Sequence, residues 1–450
     1  MDLFGTAGIR GSARDRVTPE LALAVGRAAA AEGAEFVVAR DGRETSPALA
    51  AAVEAGLESG GATVRRAGAL PTPALAYASR GRHGVMVTAS HNPPADNGLK
   101  LFADGREFDA DGESRVAARV AAGEEPAAWD EWGDGSGLDV LGEYRDAVTA
   151  YARGHGDPLD GLPVVVDCGN GTGSLATPQV LRALGADVVA LNASLDGHFP
   201  GRESKPTGES LTDLREFVAD GDAALGIGQD GDADRTVVVD ADGSVVHEDT
   251  VVAILAEHYV RASDAGDPVV VTTPNASDRI DERVAAAGGR VERVGLGALH
   301  EGVAAARAAG DESTAVVFAA EPWKHIHPGL GEWLDGVASA AVLARLFAAE
   351  GLASRRERVT ERPYRKANVP CPDERKDAAM ARLSESLPDR FPEADVTSEH
   401  GLRLSLPDGS WVLVRPSGTE PYVRIYAESE DVATLLDETE AAVEAAVDGA

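Results

Sequence analysis

The sequence has few cysteines and no long hydrophobic run. Cys168 and Cys371 are the only two cysteines in 450 residues. Because they lie far apart, they favour buried, reduced thiols over a disulfide framework or a cysteine-rich metal site. No segment approaches the roughly 18 uninterrupted apolar residues of a transmembrane helix, and the opening MDLFGTAGIRG lacks the basic and apolar regions of a signal peptide. We therefore expect a cytoplasmic protein without a membrane partner.

Positive charge is also scarce. Lysine and arginine together number 42 against 75 acidic residues, which gives a net charge of −33. A nucleic acid is excluded as a partner, because phosphate backbones attract clustered lysine and arginine. The acidic residues are spread along the chain, and we interpret them as an adaptation to a salt-rich, halophilic cytoplasm in which salt screens the charge. An ordinary acidic protein is the alternative.

The length and the order of the predicted elements indicate several domains. A chain of 450 residues, 44% of them hydrophobic, is too long for a single core. Similar strand–helix–strand units open with EFVVARD (35–41), PVVVDCG (163–169) and PVVVTTP (268–274). This order predicts parallel strands joined by crossover helices. Beyond residue 355, alternating runs around a Pro-Asp-Gly turn predict an antiparallel sheet.

We therefore predict an α/β protein made of four domains. Residues 1–150, 151–255 and 256–355 form three similar α/β domains, and residues 356–450 form a C-terminal α+β domain. In the first domain, Ser46-Pro47 predicts a helix N-cap followed by the first helical residue. Gly60-Gly61 predicts the end of that helix.

The segment GVMVTASHNPPADNGLKLF (84–102) begins as a buried strand and then changes to a polar, proline-containing loop. This change places the hydroxyl of Ser90 just past the carboxyl end of the strand. Such a position suits a functional group rather than a core residue.

A possible metal site follows in QDGDADRT (229–236). Asp230, Asp232 and Asp234 can converge on one cation if the loop curls, and oxygen ligands suit Mg²⁺ or Ca²⁺. The loop is not an EF-hand, because Arg235 and Ala241 stand where that motif needs glycine and glutamate. A solvated acidic turn is the alternative.

The segment RPSGTEP (415–421) has the composition of a phosphate-binding loop. Arg415 offers a fork of donors, Ser417 and Thr419 offer hydroxyls, and Gly418 allows close approach of backbone amides. A polar hairpin turn is the alternative.

Two glycine-rich segments give weaker signals. FGTAGIRG (4–11) brings Arg10, which could place a further cation near a phosphate. CGNGTGS (168–174) follows a strand but fails the G-x-G-x-x-G pattern at Ser174, so we interpret its glycines as serving tight turns.

Polar and aromatic residues crowd the segment FAAEPWKHIHPGLGEWLDG (318–336). Glu321, Trp323, Lys324, His325 and His327 together suit recognition of a hydroxyl-rich ligand such as a sugar. The two histidines could instead form a zinc pair, but no cysteine or third histidine accompanies them in this segment.

In this order the motifs resemble those of the α-D-phosphohexomutase family, which includes phosphoglucomutase, phosphomannomutase and phosphoglucosamine mutase. TASHNP with DNGLK, DGDADR and RPSGTEP carry the similarity, and DGHFPGRESKPTGESLTDL (196–214) adds to it. The similarity covers essentially the whole chain, and the sequence resembles archaeal members of this family. It implies three similar α/β domains with mixed sheets and one α+β domain around a central cleft.

The resemblance also implies a role for each motif. Ser90 would be the phosphoserine and would share a Mg²⁺ with Asp230, Asp232 and Asp234. The groups that handle protons and stabilise phosphate would be Lys100, His325, Arg10 and Arg235. The substrate-binding groups would be Glu321, Trp323 and His325 for the sugar, and Arg415, Ser417, Gly418 and Thr419 for the phosphate that does not react.

The implied reaction interconverts a sugar 1-phosphate and a 6-phosphate, of a hexose or hexosamine, through a sugar 1,6-bisphosphate. Ala319, Ala320 and Trp323 depart from the common pattern of the family's sugar loop, and Leu296 stands where relatives often have a polar residue. A pentose phosphate therefore stays open as substrate. A metal-dependent sugar phosphatase, or a binding protein without turnover, is the rival from another class. The protein would be a monomer or homodimer.

Overall fold

The computed structural model describes residues 3–5, 8–418 and 420–450. The chain forms two compact units. Unit 1 contains the described residues up to Val251 together with Phe318–Arg355, and unit 2 contains Val252–Val317 and Arg356–Ala450.

Unit 1 begins with a mixed sheet in the order β1-β5-β4-β2-β3-β7, with β6 paired to β5. Its strands are β1 (Ile9–Ser12), β2 (Glu35–Arg40), β3 (Thr63–Ala69), β4 (His83–Val87), β5 (Asp96–Ala103), β6 (Arg106–Glu107) and β7 (Gly135–Gly137). Its helices are α1 (Pro19–Ala29), α2 (Ser46–Ser59), α3 (Thr72–Ala78), α4 (Ala110–Ala122) and α5 (Leu141–Ala152). β2 pairs in parallel with β3 and β4, as the strand–helix–strand order predicts, whereas β5 returns antiparallel to β4.

A second mixed sheet has the order β11-β10-β8-β9. Its elements are β8 (Pro163–Asp167), α6 (Thr177–Ala183), β9 (Asp187–Leu191), α7 (Thr212–Ala219), β10 (Leu225–Gln229) and β11 (Thr236–Val239). β10 runs parallel to β8 and antiparallel to β11. The predicted metal loop therefore joins two adjacent antiparallel strands.

A third sheet has the order β13-β12-β14-β15. Its elements, with the helices around it, are α8 (Glu248–Arg261), β12 (Asp267–Thr272), α9 (Arg279–Ala287), β13 (Arg290–Arg293), α10 (Leu299–Ala309), β14 (Thr314–Glu321), β15 (Lys324–Ile326), α11 (Gly336–Ala349) and α12 (Leu352–Arg356). The boundary between the two units falls within β14, and the β14–β15 hairpin lies in unit 1.

The C-terminal part of unit 2 is an antiparallel sheet in the order β16-β20-β19-β18-β17. Its elements are β16 (Tyr364–Pro370), α13 (Lys376–Ser386), β17 (Asp395–Thr397), β18 (Leu402–Ser405), β19 (Trp411–Pro416), β20 (Tyr422–Glu428) and α14 (Val432–Asp448). Leucine, valine and alanine side chains from α13, α14 and one face of this sheet form a buried core.

The predicted fold class is confirmed, because helices accompany the three mixed sheets and the last sheet is antiparallel. The domain limits stay a prediction. One local prediction is wrong: the N-cap of α2 is Thr45, and Ser46 is already helical. The Ser46 hydroxyl instead donates to the buried Asp41 carboxylate at 2.7 Å. None of the helices formed by the described residues has the length and apolar character that crossing a membrane requires.

Candidate active site

Ser90 lies in the loop that follows β4, and its backbone is held in an uncommon conformation. Its φ of 52° lies in the left-handed region, which costs a residue other than glycine about 1–3 kcal/mol. Its N–H donates to Thr88 Oγ1 at 2.9 Å, and its carbonyl accepts from Arg43 Nη2 and Ser204 Oγ, both at 2.8 Å. These three hydrogen bonds fix the direction in which the Ser90 side chain leaves the loop.

Asp230, Asp232 and Asp234 lie on the short loop between β10 and β11, as the sequence predicts. Each is fully buried, and one carboxylate oxygen from each lies within 4.8 Å of the others. Ser90 Oγ donates to Asp230 Oδ2 at 2.6 Å. The serine and the three carboxylates, predicted from separate motifs, therefore form one cluster.

The donor set fits a divalent cation. Asp232 Oδ1 and Asp234 Oδ1 are buried and have no hydrogen-bond partner among the described residues, which is costly for carboxylate oxygens. Burial and the charges of Asp234 and Asp232 raise the pKa of Asp230 well above its usual range. A hard cation with oxygen ligands would satisfy both conditions, since it would bind the free oxygens and reduce the repulsion between carboxylates.

Four basic side chains surround this cluster. Lys100 Nζ donates to Asp234 Oδ2 at 3.0 Å, and Arg235 Nε lies 3.7 Å from Asp230 Oδ2 and 3.8 Å from Asp234 Oδ1. Although burial alone would raise the pKa of Asp234, the charges of Lys100, Lys324 and Arg235 lower it well below its usual range. Arg10, on β1 beside β5, has buried Nε and Nη2 atoms that find no hydrogen-bond partner in the described part of the chain. Unpaired guanidinium donors and nearby ammonium groups are suited to a phosphate.

The predicted sugar loop is the β14–β15 hairpin, and it contacts the metal loop. Lys324 forms a backbone bridge with Arg235, and Thr236 N donates to the Trp323 carbonyl at 3.0 Å. Glu321 lies at the end of β14, 3.9 Å from Lys324 Nζ. The Trp323 side chain packs, half-buried, against an apolar cluster that includes Leu211, so its role in sugar binding stays a prediction.

His325 and His327 are both buried, and they share one hydroxyl. Ser339 Oγ, on α11, lies 3.0 Å from His325 Nδ1 and 2.9 Å from His327 Nε2. Burial lowers the pKa of His325 to about 3, so the ring is neutral at physiological pH. His325 Nε2 is buried, and no atom of the residues that the structure describes forms a hydrogen bond with it. The two histidines therefore contact a serine, and the structure gives no support to the zinc pair.

The glycine loop at 168–174 packs directly on the metal loop. Thr172 N donates to the Gly231 carbonyl at 3.0 Å. A Cβ atom at Gly171 would lie 2.6 Å from the Gly231 oxygen, so only glycine permits this approach. The segment that we interpreted as a set of tight turns thus also supports the aspartates.

Arg43 is a residue of this site to which the sequence analysis gave no role. Its guanidinium is fully buried, pairs with Asp41 at 3.0 Å, and donates to four carbonyls of the Ser90 loop, those of Ser90, Asn92, Pro93 and Asp96. The position of Arg43 in the chain was an available signal. Arg43 follows β2, which pairs in parallel with β4, so it lies at the same edge of the sheet as the Ser90 loop. Two hydroxyls were missed as well: Thr72 donates to Asp232 Oδ2 at 2.6 Å, and Thr88 Oγ1, which donates to Asp41 Oδ2 at 2.8 Å, lies 3.3 Å from the same Asp232 oxygen.

The predicted phosphate loop lies in unit 2, between β19 and β20. Arg415 Nη2 donates to Tyr426 Oη at 3.1 Å, and Arg415 Nε is buried without a hydrogen-bond partner among residues 3–5, 8–418 and 420–450. Ser417 and Gly418 follow, whereas Thr419 lies outside the described residues. Lys376 Nζ, at the start of α13, donates to the Ser417 and Glu420 carbonyls. Lys376, also without a predicted role, thus holds the shape of the loop.

Known proteins resemble this chain along most of its length. The family models for Phosphoglucomutase/phosphomannomutase alpha/beta/alpha domain I, alpha/beta/alpha domain II and the C-terminal domain match residues 1–127, 143–243 and 367–445. A phosphopentomutase from Thermococcus kodakarensis is 43% identical over 439 residues, which cover 95% of this chain and 94% of that protein. A probable phosphoglucosamine mutase from Methanopyrus kandleri is 40% identical, with 95% and 94% covered. A crystal structure of a phosphoglucomutase/phosphomannomutase family protein from Burkholderia thailandensis matches with a TM-score of 0.87 at 26% identity, covering 99% of this chain and 97% of that one.

Proposed function

Because the chain belongs to the phosphoglucomutase/phosphomannomutase family, we propose that it is a phosphosugar mutase that works through a phosphate carried on Ser90. The observation that carries the proposal is the contact of Ser90 Oγ with Asp230, inside a buried cluster of carboxylates and bases. We infer that a serine hydroxyl in this position accepts and donates a phosphoryl group and does not serve only to pack the loop.

The cluster suits a phosphorylated serine electrostatically. A phosphoserine carries about −1.5 to −2 charges, which the three neighbouring aspartates would repel. Mg²⁺ held by Asp230, Asp232 and Asp234 would supply the charge neutralisation that this arrangement needs. Arg235 and Lys100 add fixed positive charge beside the aspartates.

In the proposed reaction, the Ser90 phosphate passes to a free hydroxyl of a sugar monophosphate. The O–P bond to Ser90 breaks and a new O–P bond forms to the sugar oxygen, while the sugar hydroxyl proton passes to a base and Ser90 Oγ takes up a proton to become a hydroxyl again. His325 is the base that we assign, because the resemblance of its segment gives it a proton-handling role and because, among the described residues, Nε2 of its neutral ring has no hydrogen-bond partner. The bisphosphate then turns, and its other phosphate returns to Ser90. Arg10 and Lys100 stabilise the phosphoryl group during transfer.

The remaining motifs are assigned to binding. Glu321, on the hairpin that contacts the metal loop, would bind the sugar hydroxyls. We assign the loop of Arg415, Ser417, Gly418 and Thr419 to the phosphate that is not being transferred, from its composition and from the resemblance of its sequence.

For the substrate, we propose the 1- and 6-phosphates of a hexose or hexosamine. The relative named as a probable phosphoglucosamine mutase supports a hexosamine. Pentose 1- and 5-phosphates are the second candidate, because the relative at 43% identity is named a phosphopentomutase.

The test incubates the purified protein with Mg²⁺, a trace of glucose 1,6-bisphosphate, and the 1-phosphates of glucose, mannose, glucosamine and ribose in turn. We expect isomerisation of at least one sugar and an acid-stable phosphate on Ser90. Ser90→Ala should lose nearly all activity, while Ser79→Ala, at a buried serine whose hydroxyl donates to the Ala76 carbonyl of α3, should keep it. Release of inorganic phosphate with an acid-labile acyl phosphate would instead establish the phosphatase. Sugar binding without turnover or phosphorylation would establish the binding protein.

A further inference from the structure

The Ser339 hydroxyl has three neighbours but only one proton. Besides the two histidine nitrogens, it lies 2.7 Å from the Asp335 carbonyl oxygen, one turn earlier in the chain. Ser339, His325 and His327 are all buried. A serine hydroxyl offers one donor and two acceptor lone pairs, so three contacts use its full capacity.

The chemistry of the partners decides which contact receives the proton. The Asp335 carbonyl can only accept a hydrogen bond, so the Ser339 proton points to it. Both lone pairs of Ser339 Oγ then face ring nitrogens, and each of these nitrogens must carry a proton to make a hydrogen bond. His325 is therefore protonated at Nδ1, and His327 at Nε2. The opposite tautomer of His325 would place two lone pairs against each other at 3.0 Å.

We propose that Ser339, oriented by the Asp335 carbonyl, fixes His325 in the tautomer that leaves Nε2 as a free proton acceptor. Ser339 is thus a positioning residue that acts on a reacting sugar hydroxyl through His325. The catalytic consequence rests on the proposed mutase function. The tautomer itself depends only on the contacts of Ser339 in unit 1.

Burial makes this arrangement effective. A neutral imidazole in water exchanges between its two tautomers, and only one of them presents a lone pair at Nε2. The ring of His325 contacts Ser339, and the ring centre of Phe318 lies 5.7 Å from that of His325. A fixed tautomer gives His325 Nε2 the same hydrogen-bonding role in every turnover. Removing a group that hydrogen-bonds to the other nitrogen of a functional histidine typically changes activity about 10- to 100-fold.

The tautomer is tested by ¹⁵N NMR of the full-length protein with ¹⁵N-labelled histidine, with His325→Gln used to assign the signals. In the parent protein at neutral pH, we expect His325 to show a protonated Nδ1 and an unprotonated Nε2. In Ser339→Ala, we expect a mixture of tautomers or a proton on Nε2. A parent spectrum with the proton on Nε2 would overturn the proposal, as would an unchanged tautomer in Ser339→Ala. The parent measurement needs no substitution, so it decides the tautomer even if the variant does not fold.

The positioning role is tested by kinetics of the same variant. In Ser339→Ala we expect kcat to fall roughly 10- to 100-fold with little change in KM, since only the acceptor at His325 Nε2 is disturbed. Ser79→Ala is the matched control, because it also removes a buried hydroxyl bonded to a carbonyl of its own helix. A Ser339→Ala variant with full kcat and a changed tautomer would refute the positioning role. If the parent itself showed no mutase activity, the proposed function would fail while the NMR result still stood.

Discussion

Ser90 Oγ donates a hydrogen bond of 2.6 Å to Asp230 Oδ2, although 140 positions separate the two residues in the chain. The contact joins the loop after β4 to the loop after β10, and each loop follows a strand that is buried in a different sheet. The hydroxyl that we propose carries a phosphate thus points directly at the carboxylates that would hold a metal ion.

The first prediction concerns Asp230 and the metal. Asp230→Asn removes one ligand and one of three mutually repelling charges, so the variant should be more stable than the parent in EDTA. The parent should gain about 2.7 kcal/mol when Mg²⁺ is raised to 100 times its Kd, and the variant should gain much less. Thermal unfolding with Mg²⁺ and with EDTA measures both effects. Asp242→Asn, an acidic residue on the turn after β11, is the control and should behave as the parent does. Equal Mg²⁺ responses in all three proteins would show that the aspartate loop binds no metal.

The second prediction concerns the hydrogen bonds that hold the Ser90 carbonyl. Ser204→Ala removes one of them and leaves the Arg43 bond in place. We expect the unfolding free energy to fall by only about 1 kcal/mol. We expect kcat to fall roughly tenfold, because a catalytic group displaced by about 1 Å can lose 100-fold in rate. Denaturant unfolding and steady-state kinetics check the two effects. An unchanged kcat would mean that Arg43 alone positions the loop.

The third prediction concerns pH and the buried Asp335. Its carboxylate accepts from Tyr144 Oη at 2.9 Å, from Trp333 Nε1 at 3.0 Å and from Ala338 N at 2.8 Å. Burial raises the pKa of Asp335 to about 6 from an ordinary 3.8. Because the folded state binds this proton more tightly than the unfolded state, the contribution of Asp335 to stability is fully present well below pH 4 and is lost as the pH rises through 6.

Asp335→Asn removes this titration and keeps all other titratable groups. The difference in unfolding free energy between the parent and this variant therefore isolates the effect of Asp335. The unfolding free energy of the parent minus that of the variant should fall by about 2.4 kcal/mol between pH 4 and 7, because about 1.4 kcal/mol is lost for each pH unit between the two pKa values and part of the fall lies below pH 4. Urea unfolding at several pH values measures the difference. A constant difference, or one that rises with pH, would contradict the raised pKa of Asp335.

The fourth prediction concerns the phosphate loop of unit 2. Lys376→Met removes the donors that hold the Ser417 and Glu420 carbonyls. If the loop grips the phosphate that does not react, the KM for the sugar phosphate should rise roughly tenfold, equivalent to about 1.4 kcal/mol of binding. Arg382→Met, an exposed basic residue on the same helix, should leave KM unchanged. Equal KM values in the two variants would contradict a role for Lys376 in shaping the loop.

The sequence predicted most of the fold because its signals are local. The parallel strand–helix–strand units, the Gly60-Gly61 helix end and the antiparallel C-terminal sheet all appear in the structure. The one wrong N-cap shows the limit of this reasoning. Ser46 has the right side chain to cap a helix, but its hydroxyl bonds to the buried carboxylate of Asp41 instead. A helix-capping preference depends on a residue and its neighbours in the chain. A buried carboxylate needs hydrogen-bond donors, and these can come from any segment that packs against it.

The sequence by itself determined which chemical groups the protein can use: a serine at a strand end, three aspartates on one loop, and a phosphate-type loop. The tertiary structure decided which of them meet. Only the folded chain brings Ser90 to Asp230 and lets the Arg43 guanidinium donate to four carbonyls of one loop. It also places Ser339 within hydrogen-bond distance of two histidines. The physical reason is that these contacts join distant segments inside a dry interior, where each buried polar atom must find a partner that no local pattern specifies.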